Sequence, residues 1–264
     1  MSFLQLFLIA IVQGITEFLP ISSSGHLILI PKLTDFPDQG PLIDVAVHVG
    51  TLAAIIVYFW KDALGLAKGG FASVGLAKAP AERRLFWWIV IGTIPAVTFG
   101  FFLKTGGYLE GFRSTHLIAV NLIVYGLLLG AADRWGKQVK TYEQLTLRDA
   151  IIVGFAQALA LIPGTSRSGA TMTAARFLGY KRVEAARFSF LLSMPAVAGA
   201  GLLAALDLAD ATAGMQRDAI IAGAMTFVAA FATMAFLMRF LQSASMMVFV
   251  IYRVALGVLL LAFF

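Results

Sequence analysis

Two short polar segments interrupt an otherwise apolar chain, and they hold most of the side chains that could do chemistry. The first contains Gln13, Glu17, three consecutive serines at positions 22–24, and His26. A carboxylate, hydroxyls and an imidazole are the groups required for a nucleophile, its base and an orienting residue. Gln13 and Glu17 are four residues apart, so they would share one face of a helix. This segment therefore predicts nucleophilic or acid–base chemistry.

The second polar segment favours an anionic ligand. Ser166, Arg167 and Ser168 lie between Gly164 and Gly169. Arginine stays charged at any relevant pH, and its planar fork matches phosphate oxygens. The glycines permit a close approach of the backbone to a ligand. A helix that begins after each polar segment would direct free N–H groups toward the same anion.

Each of these groups also has a simpler structural interpretation. Serines before a helix are commonly N-caps, and a single histidine in an apolar chain is commonly a hydrogen-bonded core residue. Glu17 and Arg167 could form an ion pair that only links the two segments. The crowding of so many polar groups in an apolar chain favours function, because a carboxylate at membrane depth is costly.

Three further polar residues lie outside these segments. Asp44 and His48, again four residues apart, could hold a divalent cation or position Arg167, and an ordinary polar pair at the membrane surface is an equal alternative. Arg253 lies inside the last apolar run. We expect it to extend toward the membrane surface or to pair inside the protein.

The composition indicates an integral membrane protein. Of 264 residues, 60% are hydrophobic and 13% are charged, whereas soluble domains carry about 25% charged residues. The net charge of +6 comes from basic residues in short connections between apolar runs. This distribution follows the positive-inside rule and suits contact with bilayer lipids rather than with nucleic acid. The absence of cysteine excludes disulfides and thiolate chemistry.

The elements that must position these residues are predicted to be membrane helices. Both polar segments read as a helix, a break and a second helix, over residues 1–31 and 150–179, and such a break is tolerated at membrane depth only where it lines a cavity or is buried. We therefore predict an all-α integral membrane fold with six transmembrane helices and two re-entrant helix-loop-helix hairpins. The predicted spans are 45–60, 85–103, 117–132, 188–206, 219–238 and 240–264.

The two hairpins are similar to one another, which predicts an inverted-topology repeat within a single membrane domain, 1–264. Three spans follow each hairpin, so the second copy would enter from the opposite side of the membrane. Repeat 1 covers about 1–135 and repeat 2 about 145–264. The basic connections should be cytoplasmic, so the site should open to the extracytoplasmic side. At an offset of 144 residues the matched positions are Gln13 and Gln157, Ser22 and Ser166, Ser24 and Ser168, and Gly25 and Gly169.

The run from Gln13 to His26 closely resembles the first signature of the bacterial undecaprenyl-pyrophosphate phosphatases, the bacitracin-resistance family. The run from Pro163 to Thr171 resembles the second signature, and Ile251-Tyr252-Arg253 resembles a motif near the family's C-terminus. The resemblance implies a hydrolase of the bacterial cytoplasmic (inner) membrane that converts undecaprenyl pyrophosphate to the monophosphate. This reaction recycles the carrier lipid for peptidoglycan synthesis and confers resistance to bacitracin. A divalent cation, Mg²⁺ or Ca²⁺, is the implied cofactor.

The resemblance also assigns roles to residues. Glu17 matches the required glutamate, Ser23 the proposed nucleophile, His26 the essential histidine and Arg167 the phosphate-binding arginine. Many relatives carry glutamate where this chain has Gln13, so two carboxylates at positions 13 and 17 are not available to a metal. Either Glu17 and the pyrophosphate oxygens hold the cation, or Asp44 assists. The positions expected to bind substrate are Gln13, Ser22, Ser24, Gly25, Gly164, Thr165, Ser166, Ser168 and Gly169.

Several alternatives stay open at this point. Either His26 or Glu17 would take the proton of Ser23, or His26 itself would be the nucleophile. A polyprenyl-phosphate transporter or flippase would also use inverted repeats and broken helices, and a non-catalytic scaffold of cell-wall synthesis is a third alternative. The expected partners are a polyprenyl pyrophosphate lipid and bilayer lipids, with monomer and homodimer both open.

Overall fold

The predicted all-α membrane fold is confirmed. The computed structural model describes residues 1–107 and 110–263, in which the chain forms eleven α-helices and two short 3-10 helices. Five of these helices, α3, α5, α6, α9 and α10 in the numbering that follows, are long and apolar enough to cross a membrane. The helices are α1 Phe3–Thr16, α2 Ser23–Leu33, α3 Gly40–Tyr58, α4 Trp60–Ser73, α5 Pro80–Thr105, α6 Thr115–Trp135, α7 Leu147–Leu159, α8 Arg167–Phe177, α9 Arg182–Ala209, α10 Ala213–Phe240 and α11 Met247–Phe263.

The last predicted span, 240–264, differs from the observed helix. α11 begins only at Met247 and has 17 residues, while residue 264 lies outside the described part. A turn precedes the helix because the Met246 N–H donates to the carboxylate of Asp133 at 3.0 Å and the Ser245 hydroxyl accepts the Met247 N–H at 3.4 Å. At about 1.5 Å per residue α11 is about 26 Å long. The count of six transmembrane helices therefore stays a prediction.

The connection 61–84, expected to be a loop, contains a helix instead. α4 packs along the start of α5, and a Cβ atom at Gly69 would lie 2.2 Å from the carbonyl oxygen of Glu82. Its charged side chains suggested a loop, but Lys61 and Lys68 lie on the exposed side of an amphipathic helix, and Asp62 pairs with Arg187 of α9 at 2.6 Å. Such a helix can rest at the membrane surface with its apolar side inward.

The two hairpins have the predicted form of a helix, a break and a second helix. α1 and α7 contain 14 and 13 residues, about 20 Å each, which is short of the roughly 30 Å hydrocarbon core. The first arm of each hairpin packs on a long helix from the other half of the chain, α1 on α10 and α7 on α5. These matched contacts support the predicted repeat and place both breaks inside the protein.

The backbones of α3 and α10 are in close contact. This contact predicts the effect of replacing a glycine at the interface. A Cβ atom at Gly50 would lie 2.3 Å from the carbonyl oxygen of Gly223. Gly50→Ala should therefore lower the free energy of unfolding by about 1–3 kcal/mol through overpacking. The matched control is Gly199→Ala in α9, where no atom lies within 4 Å of the added carbon. It should be neutral or gain up to about 1 kcal/mol from helix propensity. Unfolding titrations in detergent micelles measure both changes, and equal effects would contradict the packing.

Candidate active site

Both helix breaks share one unusual backbone geometry. Ser22 and Ser166 have φ of 78° and 71°, and they are the only non-glycine residues with positive φ in the described ranges. Each is the N-cap of an 11-residue helix: the hydroxyl of Ser22 accepts the Gly25 N–H at 3.4 Å, and that of Ser166 accepts the Gly169 N–H at 3.1 Å. A left-handed serine is strained, and such strain concentrates at functional sites. The positions are 144 residues apart, the predicted repeat offset.

The carboxylate of Glu17 joins the two hairpins. One of its oxygens accepts a bond of 2.8 Å from Arg167 Nη2. The other accepts the Ser23 hydroxyl at 2.6 Å and the Gln13 amide at 2.9 Å. Glu17 is buried, so these charge-assisted bonds are shielded from water. The Ser23 hydroxyl is thus hydrogen-bonded to a carboxylate that could act as its general base. The same carboxylate binds the guanidinium of Arg167, a group suited to phosphate.

A cavity of about 350 Å³ exposes part of this cluster. Of the residues expected to act there, it is lined by Glu17, Ser23, Ser24, Asp44, Ser166 and Arg167. The other lining residues are Val45 and His48 of α3, Ala160 directly after α7, and Ala196, Val197 and Ala200 of α9. The cavity therefore has a polar floor made by the hairpins and an apolar wall made mainly by α3 and α9.

The other residues expected to bind substrate lie behind this surface. Gln13 bonds to Glu17, Ser22 caps α2, and Ser168 donates to the carbonyl of Leu19 at 3.1 Å. These side chains hold the breaks in shape. The remaining members, Gly25, Gly164, Thr165 and Gly169, are buried around the two breaks.

The structure does not place His26 with the other three predicted catalytic residues. Its Nδ1 pairs with the carbonyl oxygen of Ser22 at 2.7 Å, and its Nε2 pairs with the hydroxyl of Tyr252 at 2.7 Å. The ring also stacks on the ring of Tyr252 at 5.8 Å. Both ring nitrogens of His26 are therefore hydrogen-bonded to groups that do not line the cavity. This geometry supports the Glu17 alternative for the base and leaves His26 to hold the turn before Ser23.

A different imidazole, His48, faces the cluster. Its Nε2 lies 3.7 Å from Glu17 Oε2, and its Nδ1 bonds to the carbonyl of Asp44 at 2.6 Å. This backbone bond favours the proton on Nδ1, so Nε2 is directed at the cavity. The spacing of Asp44 and His48 on one helix face gave the signal for this contact, but the sequence could not indicate that Glu17 lies opposite.

Arg253 takes the second of its two expected positions. It pairs inside the protein, where it is fully buried with a relative exposure of 0%, and does not extend to the membrane surface. Its guanidinium donates five hydrogen bonds, of 2.9–3.3 Å, to backbone carbonyls from both breaks and from α6. A Cβ atom at Gly169 would lie 2.6 Å from its Nη1, so a side chain there would displace the guanidinium from these carbonyls. The carbonyls belong to Pro20, Asn121, Leu122, Gly164 and Thr165.

The site fits a cation that is bound together with a phosphate ligand better than one held by protein alone. Within the described residues no group of three or more His, Cys, Asp or Glu side chains is arranged to hold a metal ion. Glu17 and Asp44 nevertheless line one cavity. Mg²⁺ commonly uses one or two carboxylates, with substrate phosphates and water as its other ligands. The donor set therefore fits the expected cofactor.

Comparison with known proteins decides the family. The profile of the family described as bacitracin resistance protein BacA matches residues 6–259. The chain belongs to this family. The BacA-family relatives include a protein of Erythrobacter litoralis, 64% identical with both chains fully covered, and proteins of a Jannaschia species and Ruegeria pomeroyi, each 49% identical over 99% of this chain and 98% of the relative. All three relatives are named undecaprenyl-diphosphatase.

Proposed function

We propose that this chain is a membrane hydrolase that removes the terminal phosphate of undecaprenyl pyrophosphate to give undecaprenyl phosphate. This reaction would recycle the carrier lipid for peptidoglycan synthesis and confer bacitracin resistance. The observation that carries the proposal is the Ser23 hydroxyl, bonded at 2.6 Å to a carboxylate that also holds Arg167 at 2.8 Å. A lipid carrier needs an anion site but no hydroxyl held on a base. The full-length relatives named undecaprenyl-diphosphatase support the same activity.

In the first half of the reaction, Ser23 is the nucleophile. Its oxygen attacks the terminal phosphorus while its proton passes to Glu17, and the bond from that phosphorus to the bridging oxygen breaks. The undecaprenyl phosphate leaves with the electrons of the broken bond. Arg167 exchanges its bond to Glu17 for the phosphate oxygens and stabilises their charge. The N-termini of α2 and α8 border the same cavity and add free N–H groups.

In the second half, water releases the phosphate. The water oxygen attacks the phosphoserine, the bond from phosphorus to the serine oxygen breaks, and Glu17 returns its proton to that oxygen. The proton lost by the water passes to the released phosphate. His48 Nε2, 3.7 Å from Glu17, is placed to orient this water.

The cofactor that we propose is a divalent cation, which when bound supplies positive charge to the diphosphate. Glu17 and Asp44 would hold it. Asp44→Asn should raise the cation concentration that gives half-maximal activity by about tenfold, since a weakened ligand typically costs 10–100-fold in affinity. Asp35→Asn, an exposed carboxylate in the loop after α2, is the matched control and should change nothing. Equal values for both variants in Mg²⁺ titrations of phosphate release would contradict the role of Asp44.

The activity itself is tested by phosphate release from undecaprenyl pyrophosphate by purified protein in liposomes. We expect release by wild type and loss of release by Glu17→Gln, which removes the base but keeps the shape of the side chain. A fluorescent polyprenyl phosphate in the same liposomes reports lipid movement. Movement across the bilayer without phosphate release would favour a transporter instead.

We further propose that the site opens to the extracytoplasmic side of the bacterial inner membrane. The support is the concentration of basic residues in the connections 61–84 and 133–149. Because the chain has no cysteine, single cysteines can be introduced at Asp35 and Lys78, which are both exposed positions outside the long helices. A membrane-impermeant maleimide added to intact cells should label Asp35→Cys and not Lys78→Cys. Labelling of Lys78→Cys alone would show that the protein has the opposite orientation in the membrane.

A further inference from the structure

An apolar groove of about 390 Å³ lies beside the polar cavity, between α3, α9 and α10. Its walls include Ala46 and Val49 of α3 and Ala224 and Phe227 of α10. Several of the lining residues are alanine or glycine, so the groove is formed by short side chains on long helices. It lies on helices that are apolar enough to cross the membrane.

The groove and the polar cavity adjoin one another. Val45 lines both of them. On α9, Ala200 lines the polar cavity and the next residue, Gly201, lines the groove. A Cβ atom at Gly201 would lie 2.7 Å from Val49, so the missing side chain allows α9 to approach α3 at this boundary. A ligand that leaves the polar cavity past Val45 enters the groove directly.

We propose that this groove receives the isoprene units nearest the diphosphate, an inference that rests on the proposed function. A diphosphate in the polar cavity is covalently joined to a tail that cannot remain among Glu17, Ser23 and Arg167. The apolar wall of that cavity is made mainly by α3 and α9, the two helices that also border the groove. The tail therefore leaves the site between them, and its remaining units lie in the bilayer.

The groove contributes to the free energy of substrate binding through packing against the tail, not through transfer of the tail from water. The tail is already in an apolar solvent before it binds, so the groove gains little from the hydrophobic effect. It selects the tail by shape, because close contacts between carbon atoms are lost when a side chain occupies the space. A bulky residue in the groove should thus weaken binding of long tails without affecting the chemistry at Ser23.

A second apolar groove provides a matched control. It measures about 630 Å³ and lies between α5 and α7, where Thr98, Phe155 and Leu159 are among its lining residues. It is the larger of the two, and its Leu159 precedes Ala160 of the polar cavity, but no residue lines both it and the polar cavity, as Val45 does for the first groove. Continuity with the phosphate site, not volume, favours the groove between α3, α9 and α10.

The experiment compares Ala224→Trp, which fills the proposed groove, with Thr98→Trp, which fills the other one. Both positions are exposed on long helices, so neither change disturbs the core. Phosphate release is measured with undecaprenyl pyrophosphate and with the short substrate methyl diphosphate, which has no isoprene unit. For Ala224→Trp we expect KM for the long substrate to rise about tenfold with kcat retained, since one misplaced apolar group changes discrimination by 10–200-fold. Its kcat/KM for the short substrate, and both values for Thr98→Trp, should match wild type.

The proposal is overturned if Ala224→Trp affects both substrates equally, if it affects neither, or if Thr98→Trp alone impairs the long substrate. A second measurement does not depend on turnover. A polyprenyl pyrophosphate with a photoreactive diazirine in its first isoprene units should cross-link to α3 or α10, whereas cross-linking to α5 or α7 would overturn the proposal. If wild type releases no phosphate from either substrate, the proposed function fails. The helix that is cross-linked still shows which groove holds the tail.

Discussion

Ser23→Ala should reduce phosphate release from undecaprenyl pyrophosphate by about three orders of magnitude or more, the loss expected when a nucleophile is removed and binding is left intact. The reason is its position, because the Ser23 hydroxyl bonds to Glu17 at 2.6 Å on the floor of the cavity. Because Ser23 is the first residue of α2 and the helix is capped by Ser22, the substitution should not disturb the fold.

Ser24→Ala is the matched control for this loss. Ser24 lines the same cavity, but its hydroxyl lies 3.5 Å from that of Ser22 and has no bond to Glu17. We expect it to lose less than about tenfold, the range of a single neutral hydrogen bond to substrate. Steady-state rates at saturating substrate give the comparison. Equal losses in the two variants would assign both serines to binding and remove Ser23 as nucleophile.

Arg253→Lys should lower kcat by about 100-fold although residue 253 does not line the polar cavity. The guanidinium binds the carbonyls of Pro20 in the first break and of Gly164 and Thr165 in the second, at 2.9–3.0 Å. A lysine keeps the charge but has a point-like group in place of the fork, so it cannot hold both breaks in register. A displacement of about 1 Å between catalytic groups is enough for a 100-fold loss.

The loss should appear in kcat per folded molecule as well as in stability. Carbonyls that lose their partner inside the protein cost about 1–3 kcal/mol each, so the free energy of unfolding should also fall. Arg239→Lys, an exposed arginine at the end of α10, is the matched control and should retain both values. If Arg253→Lys loses stability but keeps the wild-type kcat in its folded fraction, Arg253 is structural only.

The central part of the site could be predicted because its residue types are rare in such a chain. A carboxylate, adjacent serines and an arginine at two breaks in apolar helices left few roles other than a phosphate site. The structure indeed places Glu17, Ser23 and Arg167 in one hydrogen-bonded group. The long apolar runs likewise predicted helices, since runs of that length and composition have few alternatives.

Orientation within the site could not be predicted from spacing. The crowding of polar groups in the first segment favoured a catalytic role for His26, but its Nδ1 pairs with the carbonyl oxygen of Ser22, whose φ is 78°. His48, from a different helix, faces Glu17 instead. A single sequence does not show which helix lies opposite another.

Arg253 could be predicted only as two alternatives, and α4 was wrongly expected to be a loop. The usual positions for charged residues are at a membrane surface or in a loop, so an arginine in an apolar run suggested either a path to the surface or a partner inside the protein. In this fold the broken helices leave carbonyls unpaired inside the protein, and Arg253 satisfies them. The need for that cation arises from the breaks, which are more than 80 residues away in sequence.

The most direct test of the account is to trap the enzyme during turnover with undecaprenyl pyrophosphate labelled in the terminal phosphate. Rapid quenching in acid and in base, followed by peptide mapping, separates acid-stable phosphoserine from acid-labile phosphohistidine. We expect label on Ser23 in wild type, and much slower appearance of that label when Glu17 is replaced by glutamine, because Glu17 takes the proton of Ser23. Label on His26 or His48, with none on Ser23, would contradict the assignment of Ser23 and Glu17 as nucleophile and base.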